Sequence, residues 1–207
     1  MSQSLRERDR PPASYICSMP GRYDRIPDVF PALRSPHALL REVNGGDADA
    51  WFLRNSDPEV VFPMGGDLML SPRDALAAID FIRRRFREKT MIRWGIVPEG
   101  RTQAIGTTGF NDFTERDARA ELGYGLDREW WGQGLMTEAN REVIDFGFRT
   151  LELNRIEATV VDDNERSLRV LEKLGFRREG LLREHHFVAG RPRDFWMLSV
   201  LRREWLG

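Results

Sequence analysis

The sequence predicts a single mixed α/β domain, and two observations carry that prediction. Segments with helical apolar spacing interleave with segments that read as strands, in the order β-α-α-β-β-β-α-β-α-β-β. The chain has 207 residues with 41% hydrophobic composition, enough for one sizeable core.

The elements follow in order. Residues 1–35, rich in Pro, Arg and Asp, read as an N-terminal extension that is partly disordered or draped over the domain. The aromatics between Tyr15 and Phe30 suggest that some of it docks. His37–Val43 reads as a strand and Asp47–Asn55 as a short helix. Ser71-Pro72-Arg73-Asp74 is a helix start: Ser caps, Pro suits the first turn, and Asp faces the positive end of the dipole. Ala75, Leu76, Ile79, Ile82 and Phe86 then recur at helical spacing. Met91–Val97, Ala104–Asn111 and Ala118–Leu126 read as strands. The last contains Gly123-Tyr124-Gly125, which implies a bulge or a close backbone approach. Gly134–Thr150 is a helix with Met136, Ala139, Val143, Phe146 and Thr150 on one stripe. Arg155–Val161 alternates as a strand. Asn164–Leu174 is a helix ending at Gly175, a left-handed cap. Phe176–Val188 and Arg193–Leu201 form two strands joined at Ala189-Gly190-Arg191-Pro192. The domain therefore spans 36–205.

Composition narrows the function classes. Acids and bases nearly cancel, at net −1, so no basic excess points to nucleic acid. No apolar run approaches the roughly 18 residues that would span a bilayer, and the N-terminus lacks the apolar core of a signal peptide. Cys17 is the single cysteine, which excludes an internal disulfide and fits a reducing compartment. A cytoplasmic protein without nucleic-acid or membrane partners is expected.

The segment Gly125 to Gly134 lies between a strand and a helix. Glycines there let a ligand approach the backbone, and the N–H groups of the first helical turn favour a compact anion such as a diphosphate. The spacing is Gly-x-Gly with Thr137 where a dinucleotide site expects a third glycine, which disfavours a nicotinamide cofactor.

In context the loop becomes specific. Trp130-Trp131-Gly132-Gln133-Gly134-Leu135-Met136-Thr137-Glu138-Ala139, Asn164 with Ser167, and Lys173-Leu174-Gly175-Phe176 together resemble the GNAT acetyltransferase superfamily. They look most like its ribosomal-protein-alanine N-acetyltransferase (Rim-type) branch, as does Arg193 to Ser199. The resemblance covers 36–205. It implies the acyl-CoA N-acyltransferase (GNAT) fold: a mixed, twisted sheet flanked by helices, whose central parallel strands splay to admit acetyl-CoA. It also implies that backbone N–H groups from Gly132 through Gln133, Gly134, Leu135 and Met136 to Thr137 bind the pyrophosphate. Trp131 stands at the first position of the loop pattern. Met136 departs from the pattern at its last position, where Gly or Ala is usual. The pantetheine arm would lie along the preceding strand near Leu126.

Acetyl transfer to an amine needs a neutral amine, a donor for the carbonyl oxygen, and stabilisation of the departing thiolate. An α-amine, with a pKa of about 8, needs less help than a lysine at about 10.4. Glu121, on the strand entering the loop, is the candidate base, working through water as superfamily members often do; the plainer reading is a solvated carboxylate. Asn164 either caps its helix or bonds the pantetheine amide. Many superfamily members place a Tyr on this helix as proton donor, but none lies between Asn164 and Leu174, so Ser167 is the candidate acid. Lys173 either approaches the ribose-phosphate end or is solvated. His185 and His186, adjacent in a strand, should face opposite sides. No metal-ligand spacing is present.

The leading expectation is thus an acetyl-CoA-dependent N-acetyltransferase acting on a primary amine, with a protein N-terminus favoured by the resemblance. A small-molecule amine (polyamine, amino acid or aminoglycoside) and a non-catalytic acyl-CoA-binding module are the alternatives. A homodimer through the C-terminal strands is compatible with this.

Overall fold

A computed structural model describes residues 22–207; Tyr15 and Cys17, to which the sequence assigned roles, lie outside the described residues. An eight-stranded sheet runs in the order β1-β2-β3-β4-β5-β6-β8-β7. Its strands are β1 (Leu33–Ser35), β2 (Ala38–Glu42), β3 (Ile92–Pro98), β4 (Gly106–Thr114), β5 (Arg119–Leu126), β6 (Arg155–Val161), β7 (Arg177–Val188) and β8 (Arg191–Leu201). The helices are α1 (Ala48–Asn55), α2 (Pro58–Val61), α3 (Pro72–Arg87), α4 (Leu135–Arg149), α5 (Glu165–Lys173) and α6 (Arg202–Trp205). The short β1, α2 and α6 are absent from the sequence reading, being too brief to show a period.

All strand pairs are antiparallel except β5–β6. Those two strands pair over Arg119↔Arg155, Ala120↔Ile156 and Glu121↔Glu157 and then part. The implied splay therefore opens just beyond Glu121. Helix α4 lies over one face of the sheet, where Met136, Ala139, Val143 and Phe146 join the main core; Thr150, assigned to the same stripe, is exposed at its end. Helices α1 and α3 form a second core with Val43 and Met91. There Ala75, Ala78, Ile79 and Ile82 are buried, whereas Leu76 is exposed, because the buried stripe passes through Ala75 and Ala78 instead.

The folded unit reaches further toward the N-terminus than residue 36. Ile26 is fully buried, Tyr23 stacks on Phe113 at 4.9 Å and its hydroxyl donates to the Leu151 carbonyl at 2.9 Å. Trp94 Nε1 donates to the Pro31 carbonyl at 2.6 Å.

The C-terminal hairpin turns on two residues rather than four. Ala189 and Gly190 have φ of 49° and 75°, and Arg191 already pairs with Val188. Pro192 lies within β8 at no cost, since β6 pairs with β8 only from Phe195 onward and leaves that side free.

Candidate active site

A cavity of about 1070 Å³ runs along the splay, lined by β5, β6, the glycine loop, α5 and the β7–β8 hairpin. Strand alternation gives its walls different characters. Glu121, Gly123 and Gly125 point to one face of β5, and Leu122, Tyr124 and Leu126 to the other. Where β5 and β6 stay paired the sheet separates those faces; where they part, the faces communicate.

At the loop, Gly132 and Gly134 have φ of 76° and 86°, a region that side chains resist, and a Cβ on either would meet only open space. Helix α4 begins its hydrogen-bond ladder at Glu138 N–H to the Gly134 carbonyl, 3.1 Å. The N–H groups of Leu135, Met136 and Thr137 precede that ladder, and all three residues line the cavity with Gly132 and Gly134. This cradle fits a diphosphate. Met136 does not obstruct it, since its side chain is buried in the core. The Gln133 side chain is absent from the lining; it donates to the Glu129 carbonyl at 2.9 Å and braces the loop. Trp131 Nε1 donates to the Leu126 carbonyl at 2.9 Å, tying loop to strand, and the Arg166 guanidinium lies 4.5 Å over its ring. Arg166, Arg169 and Lys173 make the α5 wall basic.

Asn164 both lines the cavity and caps α5. Its Oδ1 accepts from Ser167 N–H at 3.1 Å and its Nδ2 donates to the Pro63 carbonyl at 2.7 Å. One proton and one lone pair of the amide stay available. The Ser167 hydroxyl lies 2.7 Å from the hydroxyl of Tyr124. Tyr124 escaped the sequence reading, which sought a tyrosine on the helix; it comes instead from β5 and meets the helix across the splay. Burial pushes its phenol well above the ordinary range, so it stays protonated.

Glu121 lies on the opposite face, half-buried, and accepts from the Thr159 hydroxyl at 3.1 Å. Burial raises its proton affinity, and the Thr159 hydrogen bond opposes this. Its register neighbours are both acidic: Asp112 on β4 and Glu157 on β6. Glu157 is neutralised by Arg119 at 2.9 Å and Arg155 at 2.7 Å. Asp112, also missed, is pushed up to about 6 by burial and by Glu121, against Arg85 at 3.3 Å.

The two histidines depart from expectation. Glu184, at φ 49°, breaks the two-residue alternation of β7, where three residues fit between pairs that β8 spans with one. His185 and His186 therefore lie side by side, with ring centroids 4.2 Å apart, and both line the cavity beside Phe195. Burial, then His185, keeps His186 below the ordinary imidazole range. Trp51, Phe110 and Phe113 are buried in the two cores, and Trp196 packs against one of them.

Fold and cavity agree with what comparison shows. Residues 37–177 match the acetyltransferase (GNAT) domain family, and the chain belongs to it. The uncharacterized N-acetyltransferase YoaA of Bacillus subtilis (strain 168) is 37% identical over 174 residues, covering 84% of this chain and 98% of the relative. The ribosomal protein uS5-alanine N-acetyltransferase of Escherichia coli is 26% identical over 192 residues, 89% of this chain and 97% of that protein. Among solved structures, Mycobacterium smegmatis RimJ in complex with CoA-disulfide aligns with a TM-score of 0.73 at 31% identity, covering 86% of this chain and 89% of that one. GNAT acetyltransferases use acetyl-CoA, and this chain is an acetyl-CoA-dependent N-acetyltransferase. Among the described residues no helix is long and apolar enough to cross a membrane.

Proposed function

We propose that the enzyme acetylates a protein N-terminal α-amine, with Glu121 as water-mediated base and the Tyr124–Ser167 hydroxyl pair as donor to the leaving sulfur. The observation that carries this reading is the placement of the two groups. Glu121 stands at the last paired rung of β5 and β6 on one face, and Tyr124 meets Ser167 on the other, so the splay between them receives a base from one side and a hydrogen-bond donor from the other.

Acetyl-CoA supplies the acetyl group and a thiolate leaving group. The N–H groups from Gly132 to Thr137 hold its pyrophosphate, Leu126 and Asn164 flank the pantetheine, and Lys173 with Arg166 faces the phosphate-bearing end. Glu121, its proton affinity raised by burial, is suited to receive a proton from an α-amine near neutral pH. Tyr124 plays a different part from that expected of Ser167. A thiol titrates near 8.5 and Tyr124 above its ordinary value of about 10, so full transfer to a thiolate is uphill. The hydroxyl pair instead stabilises the sulfur by hydrogen bonding, and Ser167 orients Tyr124 for that role.

The α-amine is favoured because it needs the smaller loss of proton affinity, about 8 against 10.4 for lysine. The uS5-alanine N-acetyltransferase, which matches along nearly all of this chain, supports the same class. A thiol-release screen against N-terminal peptides, lysine peptides, polyamines and aminoglycosides tests it. Turnover confined to free peptide N-termini is expected, and turnover confined to a small amine overturns the acceptor. Glu121→Gln should lower kcat about 100-fold with little change in coenzyme A affinity. Tyr124→Phe should lower kcat about 10-fold or more, and Ser167→Ala less, because the phenol remains. Wild-type kcat in Tyr124→Phe would remove the hydroxyl pair from the mechanism.

A further inference from the structure

Strand β4 carries one residue more than its partner. Phe110 pairs with Leu122, yet Asp112 pairs with Glu121, so Asn111 is bulged out. Continued without the bulge, the register of Phe110 would set Asn111 opposite Glu121 and Asp112 opposite Ala120. Ala120 belongs to the main core, so Asp112 would then point into apolar packing. With the bulge, Phe113 takes the core position against Ala120 and Asp112 turns to the cavity beside Glu121. An inserted residue that brings two carboxylates together costs a rung of the ladder and concentrates like charge. The α-amine chemistry proposed above gives that cost a use.

The surrounding cations compensate the pair only in part, and both groups stay raised on balance. Arg119 and Arg155 are committed to Glu157. Arg85 of α3 reaches Asp112 at 3.3 Å but also donates to the Thr90 hydroxyl at 2.6 Å and to the Thr90 carbonyl. Arg93 of β3 donates to the neutral Asn111 and Thr107, the latter at 3.0 Å, and its charge, with that of Arg119, offsets part of the burial of Glu121. Asp67 and the His185–His186 pair line the same cavity.

We propose that Asp112 and Glu121 form one proton-sharing carboxylate pair, in which Asp112 is a positioning residue that lets Glu121 hold the proton taken from the acceptor amine. Two carboxylates facing across neighbouring strands do not ionise independently. The first proton leaves readily and the second is retained, because its loss puts two negative charges side by side. The fully ionised pair draws in an ammonium and, once it has taken the amine proton, holds one proton and one negative charge. As the amine N–H bond breaks, an O–H bond forms on Glu121, directly or through one water, and Asp112 takes no part beyond its hydrogen bond and charge. The raised affinity of Asp112, which burial and then Glu121 push up, agrees with this.

The inference rests on Glu121 as base, and the experiment separates the two. Carboxyl ¹³C NMR of the wild-type enzyme should show Asp112 and Glu121 titrating in two coupled steps more than about one pH unit apart. In Asp112→Asn, which keeps an acceptor oxygen for Arg85, Glu121 should titrate in one step, about one pH unit below the upper wild-type step. The acidic limb of kcat/KM should move to lower pH by the same amount, and Asp112→Glu should return it. Independent wild-type titrations, or an Asp112→Asn limb that superimposes on wild type, overturn the pair while leaving Glu121 as base. Full turnover in Glu121→Gln overturns the base and the pair's function with it.

Discussion

Asp112 shows how a single side chain can be costly to the fold. Its carboxyl is raised from 3.8 to about 6, so between those values the folded chain binds more protons than the unfolded one. The contribution to stability is therefore fully present below about pH 3.8 and is lost as pH rises through 6. Above that, the buried charge costs on the order of 2–3 kcal/mol, because each pH unit between the folded and unfolded titrations is worth about 1.36 kcal/mol. Asp112→Asn should therefore stabilise the protein by about 1 kcal/mol at pH 7.5, the lost Arg85 ion pair offsetting part of the gain, and by nothing at pH 4. Urea melts at the two pH values read this directly, and an equal effect at both would mean that titration is not its cause. Tyr124 makes the complementary point. A hydroxyl that would sit unremarked in a strand sequence becomes a candidate donor because Ser167 lies 2.7 Å away.

At the scale of elements, α4 sets local propensity against packing. Gly147 sits inside this helix, where Ala is favoured by about 1 kcal/mol. A Cβ there would approach Phe110 Cζ at 2.7 Å and Ile156 Cδ1 at 3.1 Å. Both of those residues are fully buried in the core, so neither side chain has room to withdraw. Overpacking costs about 1–3 kcal/mol and wins. Gly147→Ala should lower stability by about 1 kcal/mol, measured by thermal unfolding; a rise in Tm would show that the helix can lift from the sheet. The same closeness explains Gly123-Tyr124-Gly125. A Cβ on Gly123 would fall 2.3 Å from Asn111 Nδ2, and on Gly125 2.6 Å from Met64 Sδ. The bulge that the motif suggested lies in the neighbouring strand, β4, not in β5.

Across the whole molecule, the β2–β4 side of the sheet is tied together by Asp47. This carboxylate takes two 2.8 Å bonds from Arg41 on β2, and the N–H groups of Asn44 and Ala104 at 2.9 Å each. It thus joins β2, the start of α1 and the β3–β4 turn. Burial pushes its proton affinity up, but Arg41 and the two backbone donors outweigh burial and hold it below the usual carboxylate range. The stabilisation is present above the ordinary carboxylate pKa and is lost as pH falls through the lowered folded value. Asp47→Asn leaves Arg41 partly unpaired and should cost about 3 kcal/mol in urea unfolding. A loss under about 0.5 kcal/mol would show that solvent takes over the Arg41 contact.

Whatever depends on near neighbours was legible in the chain alone. The glycine loop, the helix it opens, the Asn164 cap and the acid on β5 could all be read there, because helix ends and strand alternation are settled within a few residues. The fold class followed from the order of those segments. Whatever depends on register waited for the packed sheet. The bulge at Asn111 turned Asp112 toward Glu121, and the left-handed Glu184 set His185 beside His186. The parting of β5 from β6 brought Tyr124 to Ser167. One inserted residue reverses which face every following side chain occupies, and the free energy that admits it comes from partners far away in the chain.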